Sequence, residues 1–265
     1  MLFVDYSFIM RLTYDKEATG ALGELIAVLS GKGGTGKTSV CAGVATALAF
    51  SGKKVLCIDC DIGLRNLDIS LALAQTSPPS FMDVCRGHHT LAQALQHPDF
   101  PTLFFLTAPI NAKVEDIALE EYCAMLRDAR AAFDYVLLDA PAGIDQGFRL
   151  CAAYADRILL VTNPEPAAVR DAAQAGQLLE TMGKAEVRLV VNRISKRLFD
   201  LTRITIDDVM DGSGIPLLGI VPEDANVTLS ATFEIPLLRY TKRGAAAACK
   251  RIAKRITGAS VPLSI

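Results

Sequence analysis

Eight residues, Gly31-Lys32-Gly33-Gly34-Thr35-Gly36-Lys37-Thr38, carry the spacing G-x-x-x-x-G-K-[ST]. An apolar run, Leu25–Ser30, precedes them, and a helical pattern, Thr38–Phe50, follows. Glycines let the backbone turn so that successive N–H groups converge on phosphate oxygens. The start of a helix adds partial positive charge at the same point. In such a loop Lys37 reaches the β- and γ-phosphates of a nucleoside triphosphate, and the Thr38 hydroxyl ligates Mg²⁺, so the stretch from Gly31 to Ser39 is the candidate nucleotide cradle. Lys32 is not required by the pattern. A second cation so near Lys37 is costly unless it meets phosphate charge, in its own subunit or across a dimer.

Phosphate hydrolysis also needs a group that orients or deprotonates water, and Mg²⁺ needs carboxylate support. Asp59 and Asp61 close the second apolar run, Val55-Leu56-Cys57-Ile58-Asp59-Cys60-Asp61. Two residues apart in extended chain, they point the same way. Asp139 ends Tyr135-Val136-Leu137-Leu138-Asp139 and is placed to hold Mg²⁺ through a water; a switch-like loop, Ala140-Pro141-Ala142-Gly143, follows. Asn192-Arg193 and Val221-Pro222-Glu223-Asp224 close two later apolar runs, and an Asn can both donate and accept at a purine edge.

These groups need elements to hold them. The predicted strands are Leu25–Ser30, Lys54–Asp59, Leu103–Thr107, Tyr135–Asp139, Ile158–Thr162, Val187–Asn192 and Leu217–Val221. Most are continuous Val/Ile/Leu runs, as expected of parallel strands buried on both faces. The predicted helices include Thr38–Phe50, Val114–Ala132, Ala167–Met182 and Ala245–Ile256. The alternation predicts an α/β fold, a doubly wound and mostly parallel sheet with helices on both faces, which places ligands at the carboxyl ends of the strands. Residues 25–257 form the expected domain. Residues 1–24 are expected to be an extension, with Met10 an alternative start, and 258–265 a short tail.

Of 265 residues, 51% are hydrophobic and 21% charged, which supports a large core and excludes disorder as the main state. The net charge of -2 excludes a strongly basic nucleic-acid binder. It conceals an asymmetry: from Arg239 to Ile265 there are seven Lys/Arg and no Asp/Glu, so that end is +7 and the rest -9. No uncharged apolar run approaches 18 residues, and Met1–Asp5 lacks a basic leader, so no spanning helix and no export are expected. Seven cysteines, an odd count, suit reduced thiols. Cys57-x-x-Cys60 straddles a strand pattern whose side chains alternate, against a metal pair. Cys85 and Cys123 could hold a cluster shared across a dimer, but Cys123 sits in a helical pattern as a small hydrophobe.

Lys32-Gly33-Gly34-Thr35-Gly36-Lys37-Thr38 resembles the K-G-G-x-G-K-[ST] hallmark of the ParA/MinD family of deviant Walker A P-loop ATPases. Asp61-Ile62-Gly63-Leu64-Arg65-Asn66-Leu67-Asp68, Pro141–Ile144, Thr162-Asn163-Pro164-Glu165, Val169-Arg170-Asp171 and Val221-Pro222-Glu223-Asp224 are similar, in family order, to the MinD branch. The resemblance spans residues 25–257. It implies ATP and Mg²⁺ as cofactors, Lys32, Lys37 and Asp61 as catalytic residues, and Thr38, Asp59 and Asp139 around the metal. Lys32 would cross an ATP-dependent homodimer to the partner's nucleotide. Asn192, Arg193, Pro222 and Glu223 would surround the adenine. Asp171 would mark a docking helix for a MinC-like division inhibitor, and the biological role would be placement of the division septum.

Two departures temper the resemblance. Position 173 is alanine where some members carry an acidic residue, which puts a MinE-like activator in question. The seven residues after Gly258 include Pro262 and cannot form the basic amphipathic helix with which the branch usually ends. Lys250, Arg251, Lys254 and Arg255 with Ile252 and Ile256 are the remaining candidates for a weak or partner-assisted membrane contact. The expected location is cytoplasmic, or peripheral on the inner face of the plasma membrane. Alternatives on the same fold are chromosome, plasmid or flagellar placement, and an iron–sulfur carrier.

Overall fold

The computed structural model describes residues 22–263. Its first half runs β1 (Glu24–Leu29), α1 (Lys37–Phe50), β2 (Val55–Asp59), α2 (Leu67–Ser70), α3 (Phe81–Cys85), β3 (Leu95–His97), β4 (Phe100–Leu106), α4 (Leu119–Ala132) and β5 (Tyr135–Asp139). The second half runs α5 (Gln146–Tyr154), β6 (Arg157–Thr162), α6 (Pro166–Thr181), β7 (Val187–Ile194), α7 (Lys196–Thr202), α8 (Ile206–Ser213), β8 (Leu217–Pro222), α9 (Ala225–Thr232), α10 (Leu237–Tyr240) and α11 (Gly244–Ile256). The eight strands form one sheet in the order β3-β4-β2-β5-β1-β6-β7-β8. Every pairing is parallel except β3 with β4.

Strand β1 lies between β5 and β6, with Val28 opposite both Asp139 and Leu159. The loops after β1, β2 and β5 therefore share one end of the sheet, the carboxyl end where such folds bind ligands. Alternate residues of β1 serve two cores. Leu25, Ala27 and Leu29 join Tyr122, Phe148 and Leu179 on one face. Ile26 and Val28 join Val44, Leu48, Ile252 and Ile256 on the other. Both faces being apolar explains why the strand reads as a continuous run.

The predicted helix over Val114–Ala132 is two elements. Val114–Asp116 is a single 3₁₀ turn, closed by Lys113 N donating to Asp116 Oδ2 at 2.8 Å. Ile117 and Ala118 are then extended before α4 begins. The third strand starts earlier than predicted, at Phe100, because β3 folds back on it as an antiparallel partner.

Gly23 and Glu24 are not part of an extension. Gly23 N donates to Arg130 O, Glu24 opens β1, and Arg157 Nε stands 2.9 Å from its carboxylate. Residues 1–21 of the expected extension, including Met10, lie outside the described residues. The tail from Gly258 to Leu263 has no helix, and the Arg255 guanidinium donates to the carbonyls of Leu218, Val261 and Pro262.

The membrane reading of the last helix needs correction on its apolar side. Ile252 is 0% exposed and Ile256 3%, packed on α1 and β8. A fully buried Ile is worth about 1.5–3 kcal/mol to the fold, so neither is available to lipid. Arg255 is committed to carbonyls. Lys254 is exposed, while Lys250 and Arg251 are half-buried. No helix among the described residues is long and apolar enough to cross a membrane.

Candidate functional site

The loop between β1 and α1 turns on two glycines in the left-handed region, Gly34 at φ 81° and Gly36 at φ 85°. Gly36 is also pinned by space, since a Cβ there would stand 2.2 Å from Asn192 Nδ2. That amide donates to Thr35 O at 2.8 Å, so the end of β7 braces the loop. Gly31 faces the backbone of Asp171 on α6, where a Cβ would meet the carbonyl oxygen at 2.4 Å. The start of α1 has no side-chain cap, which leaves its first-turn amides aimed at the loop's hollow.

Lys37, Thr38 and Asp139 converge beneath that hollow. Lys37 is 5% exposed, and its Nζ donates to Asp139 Oδ1 at 2.6 Å and to Thr38 Oγ1 at 3.3 Å. Burial disfavours the ammonium, but the Asp139 charge and hydrogen bond outweigh it, with Asp61 adding, so the Lys37 pKa is raised. Asp61 is half-buried at the same end. Burial raises its carboxyl, Lys37 pulls it down and Asp139 pushes it up.

Asp59 is opposite Asp139 in the β2–β5 register and is wholly buried. Its oxygens accept the backbone amides of Asp61 at 2.9 Å and Leu67 at 3.2 Å. It thus anchors the loop that carries Asp61. Burial pushes its pKa up to about 7, the Asp139 charge adds, and the two amides oppose.

A cavity of about 350 Å³ opens beside the loop, at the low end of the roughly 300–1,000 Å³ typical of small-molecule sites. Gly36, Ser39, Asn192, Arg193, Pro222 and Glu223 line it, so the four residues expected at a base share one wall system with the phosphate loop. Asp224, Val227 and Thr228 of α9, Leu237, and Ala245 and Cys249 of α11 also line it. Asp224 belongs to the Val221–Asp224 segment that the sequence offers near a base, whereas the residues from α9, Leu237 and α11 carry no local signal in the sequence.

Lys32 stands apart from this convergence. It is at the rim, with Nζ 3.8 Å from Glu165 Oε2, and both side chains are exposed. Asp171 is half-buried on α6.

The donor set fits Mg²⁺ with a nucleoside triphosphate. Open amides, a lysine, a hydroxyl and a carboxylate are present, and Thr35 Oγ1 in the loop is buried without a hydrogen-bond partner. An iron–sulfur carrier does not fit. Six of the seven cysteines are buried and Cys85 is half-buried, and no cluster of potential metal ligands occurs among the described residues. Cys57 faces Cys41 at 3.8 Å while Cys60 faces Tyr122 at 3.9 Å, on opposite sides of the sheet.

The profile of the CobQ/CobB/MinD/ParA nucleotide binding domain matches residues 26–237. The septum site-determining protein MinD of Bacillus subtilis (strain 168) is 39% identical over 250 residues, covering 92% of each chain. The MinC:MinD cell division protein complex of Aquifex aeolicus has a chain with TM-score 0.85 and 34% identity, covering 92% of this chain and 99% of that one. The septum site-determining protein MinD of Pyrococcus horikoshii OT3, complexed with Mg-ADP, aligns at TM-score 0.74 and 27% identity, covering 89% and 96%.

Proposed function

The chain belongs to the MinD branch of the CobQ/CobB/MinD/ParA nucleotide-binding family, and from that premise we propose that it is an ATP-hydrolysing dimerisation switch that positions the division septum. The observation that carries the reading is the meeting of Lys37, Thr38, Asp61 and Asp139 under the uncapped start of α1. When bound, Mg²⁺ neutralises developing charge on the phosphates. The first-turn amides and Lys37 would hold the triphosphate, Thr38 and Asp139 would hold the metal, and Asp61 would orient the attacking water; Asp59, expected near the metal, spends its oxygens on the Asp61 and Leu67 amides and would act there by positioning Asp61. Residues 25–257 are the working unit, with Gly23 and Glu24 as its entry.

Lys37 serves as a two-position cation in this scheme. Without phosphate it neutralises Asp139; with phosphate it turns to the β- and γ-oxygens and frees Asp139 for the metal. Lys32, at the rim, reaches the nucleotide of a second copy of this chain. Such a contact is worth roughly 10³–10⁵ in rate if it behaves like an arginine finger. The partner read out by the dimer is a MinC-like inhibitor, as the Aquifex complex pairs MinC with MinD. Asp171 on α6 is part of that docking surface. Membrane contact falls to the exposed Lys254 with the half-buried Lys250 and Arg251, and is weak.

The test is Mg²⁺-dependent ATP hydrolysis and MgATP binding by wild type, Lys37→Ala and Asp61→Ala. Lys37→Ala is expected to lose binding and hydrolysis together, and Asp61→Ala to bind but not turn over. Hydrolysis unchanged in both variants contradicts the assignment.

A further inference from the structure

One carboxylate begins two helices at the base cavity. Asp224 follows β8, and its Oδ1 accepts the backbone amide of Asn226 at 2.9 Å and the Asn226 Nδ2 at 2.7 Å. That is an N-cap bond for α9. Its Oδ2 accepts the backbone amide of Ala245 at 2.9 Å, in the first turn of α11. The residue that formally precedes α11, Arg243, supplies no side-chain cap of its own. Both helix starts direct positive partial charge at the same acid.

Gly244 makes the approach possible. It sits at φ 55°, and a Cβ on it would stand 2.1 Å from Asp224 Oδ2. The two elements that Asp224 ties together are both walls of the 350 Å³ cavity, α9 through Val227 and Thr228, α11 through Ala245 and Cys249. Other lining residues, Gly36, Asn192 and Arg193, belong to the phosphate loop and the end of β7. Asp224 therefore ties together two elements of the cavity lining that lie outside the phosphate loop.

We propose that Asp224 is a positioning residue for base selection, setting the width of the purine cavity by fastening the start of α11 to the start of α9. This rests on the reading of the cavity as the base site, and goes beyond it by naming the residue that keeps the site selective. The phosphates are bound elsewhere, so loosening this clip reduces affinity for the base and leaves the triphosphate grip intact.

Two substitutions separate the roles of the carboxylate. In Asp224→Asn, one oxygen remains an acceptor and the other position becomes an NH₂, so one helix start faces a donor. In Asp224→Ser, the hydroxyl still caps α9 but does not reach Ala245. The measurement is calorimetric affinity for MgATP and for magnesium tripolyphosphate, which has no base, with wild type and both variants. MgATP affinity is expected to fall about ten-fold in each variant, as one unmet buried amide allows. Tripolyphosphate affinity is expected to hold within about two-fold. Unchanged selectivity in both variants overturns the proposal, and so does equal loss for both ligands. A wild type that binds MgATP no tighter than tripolyphosphate overturns the base-site reading and the proposal with it.

Discussion

Asp59 shows how a single buried carboxylate is shaped by its surroundings. Its two oxygens are used to hold the Asp61 loop, and its neighbour across β5 is another acid. Burial raises its pKa from 3.8 to about 7, so the folded chain retains a proton that the unfolded chain has lost. Stability is therefore fullest below pH 3.8 for this group and falls as pH rises through about 7. Asp59→Asn is expected to flatten that slope, read as urea midpoints at about pH 5 and about pH 8. A slope equal to that of wild type assigns the pH dependence to other groups. Gly36 gives a second prediction at this scale. Gly36→Ala is expected to cost at least about 1–2 kcal/mol, from the left-handed backbone, and to displace Asn192. Thermal unfolding with Asn192→Ala alongside checks it: the double variant recovers part of the loss if the clash is real.

The elements that were legible in the sequence are those whose burial is simple. β1, β2, β5 and β6 are buried on both faces, so continuous apolar runs marked them without ambiguity. The phosphate loop was legible because its chemistry demands fixed residue types at fixed spacing. The short elements were not: β3 is three residues long and is specified by pairing with β4, which no local pattern carries. Likewise α4 was read as starting too early, because Val114 and Ile117 continue its apolar rhythm while Lys113–Asp116 closes a separate turn. The basic end of the chain misled in a different way. Two isoleucines beside four cations suggested a lipid face, yet α11 turns both inward onto α1. Two substitutions on α11 test that orientation. Ile252→Ala is expected to cost roughly 2–5 kcal/mol, as a core cavity. Lys254→Glu, on the solvent side, is expected to change stability by no more than about 0.5 kcal/mol. Denaturant unfolding that gave the reverse order would place the helix the other way round.

At the scale of the whole molecule, the sheet order explains why one end does the chemistry. β5 and β6 flank β1, so the phosphate loop, Asp139 and the Asn163–Glu165 turn meet at the same end. The cavity beside the loop extends that end toward β7 and β8. Lys32 lies at its rim, with its Nζ 3.8 Å from the exposed Glu165 carboxylate. Net charge hid this layout, because a basic terminal segment and an acidic remainder cancel to -2. The most direct test of the switch is molar mass by light scattering with MgATP and with MgADP, for wild type, Asp61→Ala and Lys32→Ala. The account predicts monomers with MgADP throughout, a lasting dimer of Asp61→Ala with MgATP, and a wild-type dimer that decays as ATP is consumed. For Lys32→Ala it predicts that ATP consumption, followed by phosphate release in the same samples, has a kcat lower by roughly 10³-fold. Monomers under every condition, or a dimer indifferent to the nucleotide, would contradict it.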